Sequence, residues 1–399
     1  MKPSIHKLKA TKFTSLTPNR DAIIEAAPDT PIRPAGSYLA NQIAKALHPK
    51  EQHVIVEKII ERAKDTKSYI LAPDREAGTD ALAYFSAGQY LSITVAVGDA
   101  VVTRPYSLSS SPKEALAGRY ELTVKRVDGG LISAYILDHF TAGTKLCVSA
   151  PLGTFTYESL RDAKHIIGIA GGSGITPFVS LAKAIADGDE DCSLTLLYGS
   201  RTLADSLFAD EFAAIEKRCP RFKLIRILSE GEAESCEKGF ITADLIKKYA
   251  PEGSYSLFLC GPQAMYKFVD AQIATLGLRR KFVRHELFGE YRNPAQDANY
   301  PGVAKDAFEV RVRICGEERV ITVSANDTLL SGMEKAGIAV PAHCRSGECG
   351  WCHSKLISGQ VYTPASVDYR RLADLKYGYI HPCCAFAVSD IAIEVPEKR

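Results

Sequence analysis

"HIIGIAGGSGITPFVSLAKAI", residues 165–185, changes character twice within one short stretch. Its opening residues are almost all apolar and read as a buried strand. Gly171, Gly172 and Gly174 then make a turn, and an apolar pattern with helical spacing follows. Strand, glycine-rich turn and helix together let a pyrophosphate approach the backbone closely, while the helix amino end supplies oriented N–H groups. Thr176 is expected to cap that helix and Pro177 to occupy its first position. The same layout also suits a tight turn that binds nothing. Pro177 stands where the third glycine of a G-x-G-x-x-G dinucleotide fingerprint would be.

Working outward, the strand–helix alternation continues through "SLTLLYGS", "LFADEFAAIEKR", "KLIRIL", "TADLIKKY", "SLFLC" and "AMYKFVDAQIATL". That series predicts an α/β domain with a doubly wound parallel sheet over 159–290. Upstream, over 49–158, "HVIVEKIIER", "YLSITVAV", "YELTVKRV" and "KLCVSAP" alternate as half-buried strands separated by Gly and Asp turns, with one helix, "SAYILDHF". They predict an antiparallel β-barrel. Residues 1–48 form an N-terminal extension with Pro-rich punctuation. The polar segment 291–306 reads as a linker. Residues 307–399 hold a hairpin ("FEVRVRICGEERVITVS"), a helix ("TLLSGMEKAG"), a cysteine-rich loop and two late strands, an α+β pattern.

The bulk numbers agree with a multidomain globular chain. At 399 residues one core does not suffice. A net charge of +2 shows no bias toward nucleic acid or an anionic membrane. No apolar run reaches the roughly 18–20 residues that span a bilayer, and the start lacks a secretory h-region. A cytoplasmic, reducing setting is therefore expected. There, an odd total of eleven cysteines points to metal ligands or redox groups rather than to structural disulfides.

The loop "CRSGECGWC" (344–352) concentrates that chemistry. Its spacing is Cys344-x4-Cys349-x2-Cys352, and Cys383 follows far downstream, after thirty intervening residues. Structural zinc draws two short pairs from two knuckles. Three thiols from one loop and one from far away is instead the plant-type [2Fe–2S] spacing, with zinc and a disulfide as the lesser alternatives. Gly347 and Gly350 let the backbone curl its N–H groups toward sulfide.

Two further runs carry a resemblance. "GYIHPCCAFAVSD" resembles the run in which plant-type ferredoxins place their last ligand; counting from Gly378 selects Cys383 and leaves Cys384 beside it. GGSGITP together with "CGPQAMY" (260–266) resembles the paired signatures of the ferredoxin–NADP reductase superfamily. The resemblance implies that Gly171, Gly172, Ser173, Gly174, Thr176 and Pro177, with Cys260, Gly261, Pro262 and Met265, hold NADH or NADPH. It puts Ser200 and Arg201 by the adenosine ribose, with neither coenzyme favoured. "TRPYSLSSSP" (103–112) resembles the R-x-Y-S flavin signature. It implies that Arg104 holds a flavin pyrophosphate, that Pro105 and Tyr106 lie against the flavin, and that Ser107 meets its N5 edge. Gly88, Gln89 and Tyr90 before it, and Lys125, Gly129, Gly130 and Ser133 after it, complete the flavin set. FAD is implied over FMN. Ser107, Cys260 and Phe288 are the residues implied beside the reacting rings.

Taken in order, flavin, nicotinamide and [2Fe–2S] motifs make the chain similar to class I oxygenase reductases with a C-terminal ferredoxin domain, here of β-grasp type. That resemblance implies electron transfer from NAD(P)H through FAD and the cluster to a separate protein: an oxygenase, a hybrid-cluster protein or another redox enzyme. The acceptor is expected to dock near the cluster loop, where Trp351 stands between Cys349 and Cys352. A monomer without nucleic-acid binding or membrane insertion fits this reading. A redox-sensing module that binds its partner without turnover is the alternative.

Overall fold

The computed structural model describes residues 25–26, 34–287 and 289–396, so Phe288 lies outside the described residues. The chain divides between Ala46 and Leu47 into two units. The described part of the first holds a 3-10 turn, Ala35–Ser37, and most of a helix, Leu39–Leu47, in which no residue is buried. Among the described residues no helix is long and apolar enough to cross a membrane.

The second unit begins with six antiparallel strands: β1 (Glu51–Ala63), β2 (Thr66–Pro73), β3 (Tyr90–Val97), β4 (Ala100–Ser107), β5 (Tyr120–Lys125) and β6 (Lys145–Ser149). Their order is β4-β3-β6-β1-β2-β5. The two ends of this sheet meet where Leu108 bridges Leu122 and the Ser109 N–H donates to Glu121 O at 2.8 Å. Closure removes the unpaired edges an open sheet would leave. Inside lie Val54, Leu71, Leu91, Ile93, Leu122 and Val124, the alternate residues of their strands. The expected helix is present at Leu131–His139.

Next comes a parallel sheet of β7 (His165–Gly171), β8 (Ser193–Ser200), β9 (Phe222–Leu228), β10 (Cys236–Lys238), β11 (Ser256–Cys260) and β12 (Val283–Glu286). It is ordered β10-β9-β8-β7-β11-β12. The successive strands β7, β8 and β9 run one way and β11 then adds on the other side of β7. The crevice between the ends of β7 and β11 is therefore the topological switch point, where open α/β sheets take ligands. Helices Thr176–Asp187 and Ala209–Arg218 pack on one face, and Ala243–Tyr249 and Gln263–Ala274 on the other, giving two separate apolar cores. Strands β10 and β12 were not expected; each is short, and its pattern carries no distinctive period.

The last part holds β13 (Ala307–Ile314), β14 (Glu317–Ser324), β15 (Ser354–Ser358), β16 (Val361–Tyr362), β17 (Tyr379–Ile380), β18 (Phe386–Ala387) and β19 (Ile391–Glu394). The sheet is β14-β13-β19-β15-β17, with β13 and β19 parallel at its centre. Helix Leu329–Lys335 lies so close on it that a Cβ at Gly332 would come within 2.6 Å of Val323 Cγ1. The sequence showed two late strands; the two-residue strands among the rest are too short to show alternation.

A buried ion pair ties the barrel's exit loop to the edge of the parallel sheet. Arg284 on β12 donates to Asp162 Oδ1 at 3.0 Å, to its other carboxylate oxygen, and to Thr154 O at 2.7 Å. Both side chains are buried. Removing one partner of such a pair costs about 3–5 kcal/mol because the other charge stays buried. Asp162→Asn should therefore lower the urea midpoint of unfolding clearly. Asp191→Asn, which breaks an exposed pair with Lys164, should leave the midpoint unchanged.

Candidate electron-transfer site

The glycine-rich turn and the end of β11 are built against each other. A Cβ on Gly174 would lie 2.6 Å from the Cys260 carbonyl carbon, and one on Gly171 would overlap Met265 Sδ. A Cβ on Gly261 would lie 2.7 Å from the same sulfur. Tyr198 fixes the turn from below: its hydroxyl donates to Gly172 O at 3.2 Å and accepts from Leu207 N. The expected cap is corrected here. Residues Gly172–Ile175 already form a 3-10 turn, so Ile175 precedes the helix in αR conformation and Thr176 is its first residue. The Thr176 hydroxyl donates to Ser173 O at 3.1 Å and caps no N–H. Ser173 and Pro262 are exposed at the crevice, and Pro177 is buried. Ser200 pairs with Ser206, while Arg201 is exposed at the tip of β8. Asp205 is used locally, accepting from Thr202 N and Oγ1, which holds it below the usual carboxylate range.

On the barrel, Arg104, Pro105, Tyr106 and Ser107 end β4, paired with Ile93 through Tyr90 on β3. Ser107 Oγ is buried and has no hydrogen-bond partner, as a hydroxyl awaiting a ligand atom would be. Arg104 donates to Thr103 O at 2.9 Å and stands 3.5 Å from Glu334 Oε2, leaving N–H groups for a phosphate. Gly129, at φ +66, and Gly130 lead into helix Leu131–His139, whose amino end has no side-chain cap. Ser133 Oγ is occupied within that turn, accepting from Val127 N at 3.0 Å. Gln89 is likewise occupied, bonding Ser86 N and Gly153 O. Gly88 admits the Phe155 carbonyl, which a Cβ would overlap, so this glycine shapes the loop. Lys125 crosses to the nucleotide domain, its Nζ 3.9 Å from the Cβ position of Gly172.

The cysteine loop is arranged around one sulfur. Cys344 Sγ receives the thiols of Cys349 and Cys383, the Cys349 N–H at 3.4 Å and the Ser346 N–H at 3.5 Å. These donors, Cys349 foremost, hold it far below the ordinary thiol range. Cys383 also neighbours Cys352. The thiols thus follow one another as Cys349, Cys344, Cys383 and Cys352, and among the described residues no three His, Cys, Asp or Glu side chains gather on a single metal ion. Pairwise neighbours with N–H donors fit a bridged two-iron cluster better than one zinc ion. Gly347 has φ +86, and a Cβ there would sit 3.1 Å from Cys384 Sγ. The Cys384 thiol donates to His381 O at 3.4 Å, while His381 Nδ1 is bonded to Gly347 O at 2.7 Å.

One residue that the motifs did not reveal is Glu286, next to Cys260 across β11 and β12. Burial pushes its carboxyl well above the usual range, and nearby Glu348 and Cys344 add to this. Burial likewise raises Glu348 to about 7 and lifts the Cys260 thiol. Its position two residues before Phe288, in "HELFGE", was the available signal. Tyr90 feels the same Glu286, Glu348, Cys344 and Cys349, so barrel, parallel sheet and cysteine loop meet around it. Trp351 is 41 % exposed and packs edge-on against His343 at 4.7 Å. Arg345, the residue after Cys344, is wholly buried.

Comparison with known proteins matches each part. Residues 52–157 match the oxidoreductase FAD-binding domain, 169–271 the oxidoreductase NAD-binding domain and 312–388 the 2Fe-2S iron-sulfur cluster binding domain. The ferredoxin reductase component of 3-ketosteroid-9-alpha-monooxygenase from Rhodococcus rhodochrous is 33% identical over 84% of this chain and 94% of its own length. A subunit of 1,2-phenylacetyl-CoA epoxidase from Escherichia coli is 28% identical over 79% of this chain and 89% of its own. The structure of phthalate dioxygenase reductase, described as modular for electron transfer from pyridine nucleotides to [2Fe-2S], superposes with TM-score 0.63 at 25% identity, over 86% of this chain and 98% of that one. With matching domains in matching order, the chain belongs to the oxygenase-reductase family of the ferredoxin–NADP reductase superfamily, and is an oxidoreductase that carries electrons from NAD(P)H through FAD to a [2Fe–2S] cluster and on to a separate protein.

Proposed function

We propose that the acceptor is an oxygenase component, and that it collects electrons at the face of the cluster loop that carries Trp351. The observation behind this reading is one contact: the Arg345 guanidinium in the cluster loop donates to Thr103 O at 3.3 Å, one residue before Arg104. Flavin motif and cluster motif are therefore neighbours, and no large movement is needed between them. The oxygenase assignment draws on the relatives, which are named as parts of a monooxygenase and an epoxidase.

Each residue has a part in this reading. The coenzyme pyrophosphate lies over Gly171, Gly172 and Gly174, with Ser173 and Lys125 beside it. Cys260, Gly261, Pro262 and Met265 border the nicotinamide, and Ser200 and Arg201 hold the adenosine ribose. Arg104 takes a flavin phosphate together with the amino end at Gly130. Tyr106 gives the flavin a flat face, and Ser107 offers a hydroxyl to its N5 edge. Cys344, Cys349, Cys352 and Cys383 hold the cluster, and Cys384 stays behind it as a thiol. A bound flavin supplies the exchange between a hydride and single electrons. Cys260 and Glu286 are both buried there, and burial, with Glu348 and Cys344 nearby, favours the neutral form of the Glu286 carboxyl.

Sustained oxidation of NAD(P)H by the loaded protein with ferricyanide or cytochrome c is the expected result. A single reduction without turnover would favour the redox sensor. Ser107→Ala should retain FAD yet slow its reduction about 100-fold in stopped-flow absorbance. Cys383→Ser should abolish the cluster's visible absorption and acid-labile sulfide, whereas Cys384→Ser should keep both.

A further inference from the structure

Arg345 follows Cys344 directly, at φ +59, and its side chain has no solvent exposure. A buried guanidinium needs both charge and hydrogen bonds to be tolerated. Glu334, on helix Leu329–Lys335, meets it with both oxygens, accepting at 2.7 and 2.8 Å, and Glu290 accepts from it as well. Glu334 is itself almost buried and also stands 3.5 Å from Arg104 Nη1, on the barrel. Burial pushes its carboxyl up to about 7 against the pull of Arg104. Two arginines and two glutamates thus form one closed group. Its members come from β4, from the segment after β12, from the cluster loop and from the helix beneath that loop. Arg345 adds the bond to Thr103 O already described.

We propose that Glu334 is a positioning residue: by dividing its carboxylate between Arg345 and Arg104 it seats the [2Fe–2S] domain against the flavin barrel at electron-transfer distance. This rests on the reading above that Arg104 also holds a flavin phosphate. Arg104 then lies between two anions, Glu334 on the cluster side and the phosphate on the other. A guanidinium suits that place, since its five N–H donors point along several directions in one plane. Neither carboxylate touches the transferred electrons; their part is to fix where the two centres stand.

Glu334→Gln keeps the side chain's shape and removes its charge. At pH 8, in protein loaded with FAD and cluster, NADH should reduce the flavin of this variant at the wild-type rate. Passage from flavin to cluster should slow at least about tenfold, because removing one charge of a buried pair leaves its partners uncompensated and frees the interface. Trypsin should cut the 291–306 segment, which contains Arg292 and Lys305, faster than in wild type, and small-angle scattering should show a larger radius of gyration. Should Glu334→Gln fail to fold or load its cluster, Glu334→Asp decides. It keeps Arg345 neutralised but withdraws from Arg104, so cluster content should hold while transfer slows. Wild-type rates with unchanged scattering and cleavage in the variants that load would overturn the proposal. If wild-type flavin is reduced by neither NADH nor NADPH, the functional reading fails instead, and scattering and cleavage still decide the role of Glu334.

Discussion

A guanidinium sealed from water cannot stand alone, and the burial of Arg345 constrains everything around it. Its neutralisation fixes the helix that carries Glu334, the segment that carries Glu290 and the carbonyl of Thr103 on the barrel. Those anchors lie far apart in sequence, so one side chain draws together parts that would otherwise be separate modules. Domain interfaces within a chain are commonly modest and permit relative motion. Here a buried ionic group, with geometry set by directional hydrogen bonds, gives the interface a specific register.

The electrostatics of the meeting point follow from the same crowding. Cys344 is held as a ready anion by its N–H and thiol donors, while Glu286 and Glu348 are pushed toward their neutral forms. Negative charge is thus favoured on the Cys344 sulfur and disfavoured on the carboxyls near it. Tyr90, from the barrel, lies near these groups, and burial favours its protonated form.

Local chemistry was legible in the sequence wherever a motif is contiguous. GGSGITP, CGPQAM, R-x-Y-S and the cysteine spacing each announce a turn or ligand set, because glycine, proline and cysteine are chosen by backbone geometry or by ligation. The barrel and the parallel sheet were also legible, from alternation and from the strand–helix series. What the sequence did not disclose is how the motifs face one another. Arg345 and Thr103 are 242 residues apart, and nothing in either neighbourhood marks the bond. Glu334 looks like an ordinary helical acid, and Glu286 like a strand end. Thr176 looked like a cap, but the preceding 3-10 turn had already begun the helix. Such features are decided by tertiary packing, which local propensity does not encode.

The interlock of Gly174 with Cys260 has an evolutionary reach. The crevice floor beneath Gly174 is made of main chain, so no side chain can be added there without prying the turn from the end of β11, whereas a Cβ at Gly171 would meet the Met265 and Pro262 side chains. At the tip of β8, by contrast, Arg201 is exposed and carries no packing load. On the proposed reading, in which Arg201 holds the adenosine ribose, coenzyme preference can thus change at that rim alone, while the main chain beneath Gly174 stays as it is.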